Sequence, residues 1–116
     1  LPGGLPNAFT LAENEKVQSL LKEFKEKKKK IGAICAAPYA LHKAGILNKN
    51  FTCYPSFEQK IKLDGYQAND SVVIDENIIT SRGPATAMNF ALEIVNILCE
   101  KDIYTSVKNG LLANNL

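Results

Sequence analysis

The stretch Ile31-Gly32-Ala33-Ile34-Cys35-Ala36-Ala37-Pro38 constrains this chain more than any other. Its first four residues are small or β-branched, as a strand buried on both faces of a parallel sheet must be. A helical pattern comes next, and proline is tolerated in the first turn of a helix because its missing N–H would have no intrahelical partner there. A strand that breaks into a helix at a nucleophilic side chain is the arrangement of a nucleophile elbow. The stretch therefore predicts an α/β fold with Cys35 at a helix N-terminus, where unpaired amide hydrogens and the macrodipole favour an anion and so favour a thiolate nucleophile or oxidation target. The competing reading is inert packing, since free cysteine is among the most buried residue types. The order strand, cysteine, small, small, proline favours the reactive one.

The flanking segments supply the rest of such a fold. Thr10 with Glu13 forms a capping-box pattern, and Val17, Leu20, Leu21 and Phe24 come after it at helical spacing, predicting a helix from about Leu11 to Lys28. Glu13 and Glu15 open it and Lys25 with Lys27 to Lys30 close it, the charge order a helix dipole prefers. The helix after Cys35 should stop near Lys43, before Gly45. Phe51 to Tyr54 reads as a short strand halted by Pro55, and Phe57 to Leu63 as an amphipathic connection. Val72 to Ile74 and Ile78 to Thr80 flank the polar Asp75-Glu76-Asn77, predicting a hairpin. After Ser81-Arg82-Gly83-Pro84 comes a helix whose buried face should be Ala87, Ala91, Ile94, Val95 and Leu98, with Cys99 beside it in a structural role. A last short helix spans Lys101 to Lys108.

Composition excludes several classes of function. The chain of 116 residues suits one domain spanning 1–116, and 46% hydrophobic with 22% charged residues is ordinary for a globular protein. A net charge of +2, spread out apart from the lysines ending at Lys30, implies neither a nucleic-acid groove nor a membrane patch. Cys35, Cys53 and Cys99 show no zinc or CxxC spacing, so reduced thiols in a cytoplasmic setting, with no metal and no cofactor, are the expectation. The one histidine, His42, lies seven residues beyond Cys35. On a helix that puts it about 10 Å further along the axis, out of reach as a base.

Leu1-Pro2-Gly3-Gly4, then Ala33-Ile34-Cys35-Ala36-Ala37-Pro38, then Thr80-Ser81-Arg82-Gly83-Pro84 before a helix, together resemble the ThiJ/PfpI (DJ-one-like) family over essentially the whole chain. The resemblance implies a flavodoxin-like three-layer α/β sandwich with a mostly parallel sheet, usually a homodimer, of which this chain is the C-terminal portion with the N-terminal strands missing. The opening Leu1-Pro2 reads as the end of a strand running into its loop. A sheet stripped of its first strands exposes apolar area, so the N-terminal portion is expected either as a separate bound chain or as a piece removed after folding.

Carried over by position, the resemblance makes Cys35 the reactive cysteine and Gly4 and Ala36 the backbone donors for an oxyanion or an oxidised sulfur. It makes Gly3 the residue that lets the loop approach. Arg82 would lie near the pocket and the dimer contact, or be a plain surface arginine. Tyr54 stands where many members carry a histidine; it would donate a hydrogen bond to a bound carbonyl or simply pack. The family's acidic partner for the cysteine has no counterpart here, Glu13, Glu58 and Glu76 standing in other contexts. The activity so implied is glyoxalase-like or deglycase-like, on small aldehydes such as methylglyoxal, with an oxidative-stress sensor or redox-regulated chaperone acting through Cys35 as the alternative. Peptidase ranks behind both because Ala36 stands where the protease-like branch has histidine, amidase because it needs a histidine partner and His42 is misplaced for it, and a thiamine-related role finds no residue here that bears on it.

Overall fold

The computed structural model describes residues 1–116. Its elements are α1 (Asn7–Glu13), α2 (Glu15–Glu26), β1 (Ile31–Ile34), α3 (Pro38–Lys43), α4 (Glu58–Ile61), β2 (Val72–Asp75), β3 (Ile78–Ser81), a single 3-10 turn (Pro84–Thr86), α5 (Ala87–Leu98) and α6 (Lys101–Gly110). The sheet has the order β1-β3-β2. β1 runs parallel to β3 with Ile31 opposite Ile78 and Ile34 opposite Ser81, while β2 and β3 form the expected antiparallel hairpin. Glu76 turns that hairpin at φ +55°. On the other edge of β1, the Leu1 nitrogen donates to the Gly32 carbonyl and the Ile34 N–H donates to the Leu1 carbonyl, so Leu1 pairs in the manner of a parallel strand.

Alternation along β1 sorts the molecule into layers. Ile31 and Ala33 point into a core cluster with Leu21 of α2, Leu41 of α3, Ala44, Ile46 and Ile78. Gly32 points the other way, where Phe90 and Ile94 of α5 lie so close that a Cβ at position 32 would sit 3.0 Å from the Phe90 ring. The absence of a side chain there is what lets α5 settle onto the sheet. A second cluster of Ala8, Ala36, Phe51, Cys53, Phe57 and Ile61 continues the α2–α3 side beyond the strand ends. It is joined to the sheet by the Thr52 N–H donating to Thr80 Oγ1 at 2.9 Å.

Five expectations change. The first helix is two helices, because Asn14 takes an extended conformation and its side chain accepts from the Val17 N–H, capping α2. The Thr10 and Glu13 capping box does not form, and Thr10 Oγ1 donates instead to the Pro6 carbonyl. The segment from Phe51 to Tyr54 is extended but makes one bridge only, Phe51 to Tyr66, because its other amides are taken by Thr80 Oγ1 and the Cys35 carbonyl. On α5 the fully buried residue is Leu92, while Ala87, Ala91 and Leu98 face outward, Leu98 at 65% exposure. Cys99, at the exposed C-terminal cap of α5, has no packing role. No helix is long and apolar enough to cross a membrane.

Candidate active site

Cys35 follows the last residue of β1 and adopts φ +66°. A non-glycine residue in the left-handed region costs roughly 1–2 kcal/mol, and the surrounding hydrogen bonds hold it there. Its N–H donates to the Ser81 carbonyl at 2.9 Å, and its carbonyl accepts from the Tyr54 N–H at 2.8 Å. The chain is thus pinned on both sides of Cys35 and must turn sharply between, which leaves the side chain partly exposed. The helix itself begins only at Pro38, after a turn closed by the Ala37 N–H on the Ile34 carbonyl. Cys35 therefore precedes the helix rather than capping it, and α3, at six residues, offers little dipole.

The loop at the start of the chain lies directly over this turn. A Cβ on Gly3 would fall 2.7 Å from the Cys35 Cβ and 3.0 Å from the Ala36 nitrogen, distances that only glycine permits. Gly4 follows at φ +81°. The N–H groups of Gly4 and Ala36 donate to no protein acceptor. Unused donors beside a sulfur are the raw material of an oxyanion site.

Around this turn the carboxyl ends of β1 and β3 gather three further groups. Arg82 Nε donates to the Cys53 carbonyl at 3.4 Å and its Nη2 to Tyr66 Oη at 3.0 Å. No carboxylate pairs with it. Tyr54, 47% exposed, lays its ring over Gly83, where a Cβ would sit 3.4 Å away. Cys53 is sealed from solvent. Burial pushes its thiol up to about 12, the negative charge of Glu58 adds to the rise, and Arg82 opposes it. His42 makes no hydrogen bond to Cys35, and no three of the histidine, cysteine and acidic side chains converge as metal ligands. Tyr66 carries no mark in the sequence, and Glu58 is set aside there as standing outside any motif position, since their roles arise only from tertiary contact.

A mixed sheet between helical layers, with a cysteine forced into a left-handed turn at a strand's carboxyl end, defines a flavodoxin-like α/β protein of the cysteine-elbow class. The model of the DJ-1/PfpI family matches residues 1–97, and the chain belongs to that family. It is 41% identical over 113 residues to a Schizosaccharomyces pombe protein named glutathione-independent glyoxalase DJ-1, covering 96% of this chain and 59% of the relative. It is 40% identical over 115 residues to the Parkinson disease protein 7 homolog of Danio rerio, covering 97% and 61%. Among solved structures, DJ-1beta of Drosophila melanogaster superposes with a TM-score of 0.90 at 40% identity, covering 95% of this chain and 60% of that one. Oxidized DJ-1 of Toxoplasma gondii gives 0.87 at 31% identity, covering 95% and 60%. The chain thus spans between 59% and 61% of the length of these two curated relatives.

Proposed function

We propose that this chain carries the reactive cysteine of a DJ-1/PfpI protein that converts small reactive aldehydes, of the methylglyoxal type, to hydroxy acids. One observation carries the reading: Cys35 is held at φ +66° between two backbone hydrogen bonds, with two unused amide donors on adjoining segments. In this mechanism Cys35 Sγ adds to the aldehyde carbon, and the resulting oxyanion of the hemithioacetal takes hydrogen bonds from the Gly4 and Ala36 N–H groups. Proton transfer through an enediol gives a thioester, and water releases the 2-hydroxy acid and restores the thiol.

Gly3 gives the donor loop its close approach, while Arg82 and Tyr54 shape the rim. The acid–base group comes from the part of the relatives' length that this chain does not span, bound as the N-terminal portion in the same polypeptide or as a separate chain. The assembly is a homodimer in a cytoplasmic setting, consistent with three unpaired thiols. Replacement Cys35→Ser in the intact protein is expected to abolish methylglyoxal consumption; consumption at the parental rate would refute the reading.

A second reading, a redox sensor or redox-regulated chaperone, is favoured by the same geometry. A partly exposed thiol beside unused N–H donors is suited to hold a sulfinate, and a solved relative is the oxidized Toxoplasma gondii protein.

A further inference from the structure

We propose that Cys53 is the resolving thiol for Cys35: a hydroperoxide oxidises Cys35 to a sulfenic acid, and Cys53 closes a disulfide onto it with Glu58 as proton acceptor. This rests on the reading of Cys35 as a reactive thiol. The Tyr54 N–H that donates to the Cys35 carbonyl at 2.8 Å belongs to the peptide unit whose carbonyl is that of Cys53. Standard covalent dimensions then keep the α-carbons of Cys35 and Cys53 within about 6 Å of each other. Disulfides bridge α-carbons about 4.4–6.8 Å apart.

Two further observations point the same way. Cys53 packs in one cluster with Ala36, the neighbour of Cys35, so its side chain lies on the inner side of the elbow. Glu58 Oε2 is cut off from solvent and has no hydrogen-bond partner. Its charge is felt at Cys53, as is that of Cys35. A shielded carboxylate oxygen without a donor is costly to keep, and a rotation of the Glu58 side chain toward Cys53 would give it the thiol proton to accept. Because Cys53 is fully buried, peroxide in solution meets Cys35 first. Cys99 is excluded by position, since α5 carries it twelve residues, about 18 Å, from the elbow end of the helix.

The chemistry balances in two steps. The Cys35 thiolate attacks the distal oxygen of the hydroperoxide, an S–O bond forms as the O–O bond breaks, and the alcohol or water leaves with one proton from solvent. Cys53 Sγ then attacks Cys35 Sγ and passes its proton to Glu58 Oε2. The S–O bond breaks, the hydroxyl departs as water on receiving that proton, and the disulfide holds the two electrons' worth of oxidation.

The test treats the reduced protein with about two equivalents of hydrogen peroxide per chain, enough for a sulfinic acid, blocks free thiols, and maps tryptic peptides without reductant. Cys35 lies in the peptide Ile31–Lys43 and Cys53 in Asn50–Lys60, so a bridge joins two separable fragments. The expected product is this pair linked with loss of two hydrogens and released by dithiothreitol. In Cys53→Ser, Cys35 should gain two oxygens instead. In Glu58→Gln, sulfenic acid should form at the parental rate while closure slows at least about tenfold and becomes faster with rising pH. Cys35 carrying two oxygens in the parental protein, with Cys53 still open to alkylation after unfolding, overturns the resolving role alone. No oxidation at Cys35 overturns the reactive-thiol reading with it. Parental closure rates in Glu58→Gln overturn the role of Glu58.

Discussion

The two faces of the sheet are built to different standards. On the α2–α3 side, Ile31, Ala33 and Ile78 meet Leu21 and Leu41 in a cluster whose members are all buried, and a second buried cluster extends it beneath the elbow. On the α5–α6 side, α5 buries Leu92 fully, a cavity of about 410 Å³ opens between β2 and the two helices, and Met88, Leu98 and Ile103 stand in solvent. The difference teaches where the rigidity of the site comes from. Cys35 is strained, and its backbone is fixed by β3 on one flank and by the Tyr54 segment on the other. Both flanks rest on the well-packed side.

Substitutions can break this contrast in order of size. Leu41→Ala, on the packed face, should lose about 2–5 kcal/mol in urea unfolding by removing a fully buried side chain from a rigid cluster. A loss below about 1 kcal/mol would show that this face yields as easily as the other. Gly32→Val should cost about 1–3 kcal/mol by driving a side chain against Phe90 and Ile94. If it costs nothing, α5 is free to lift and the second face is looser than the structure shows.

Cys53 gives a pH test of the packed side. Its folded thiol sits near 12 against an ordinary 9.0. Between those values the unfolded chain gives up its proton while the folded one keeps it, so stability should fall as pH rises from about 9 toward 12. Cys53→Ala should lessen that slope; an unchanged slope assigns the alkaline loss to other groups. Smallest of all, Leu98→Ser should change stability by less than about 0.5 kcal/mol, and a clearly larger loss in dissolved protein would mean that the outer face of α5 is covered there.

Legibility in the sequence divides along the same line. The hairpin and the stop of α3 before Gly45 are written locally, in turn residues and in the glycine that takes φ +72°. The buried side of α5 is not local. An apolar stripe says that one side of a helix prefers cover, but which residues obtain it depends on the neighbouring layer, and here Leu92 rather than Leu98 lies against the sheet. The break at Asn14 was hidden because no glycine or proline marks it and one asparagine side chain suffices to restart the helix. Around the candidate site, the order of residues near Cys35 was enough to single out that cysteine. Glu58 and Tyr66 carried no signal, since a glutamate in a four-residue helix looks solvated until the fold buries one of its oxygens.

The left-handed backbone at position 35 sets heat tolerance and chemistry against each other at a single codon. Glycine would occupy that turn without penalty, so a library screened only for survival of heating should drift toward it. A library screened for survival of toxic aldehydes or peroxide should keep the sulfur. Running both screens on the same pool would separate what the architecture prefers at this point from what the chemistry demands of it.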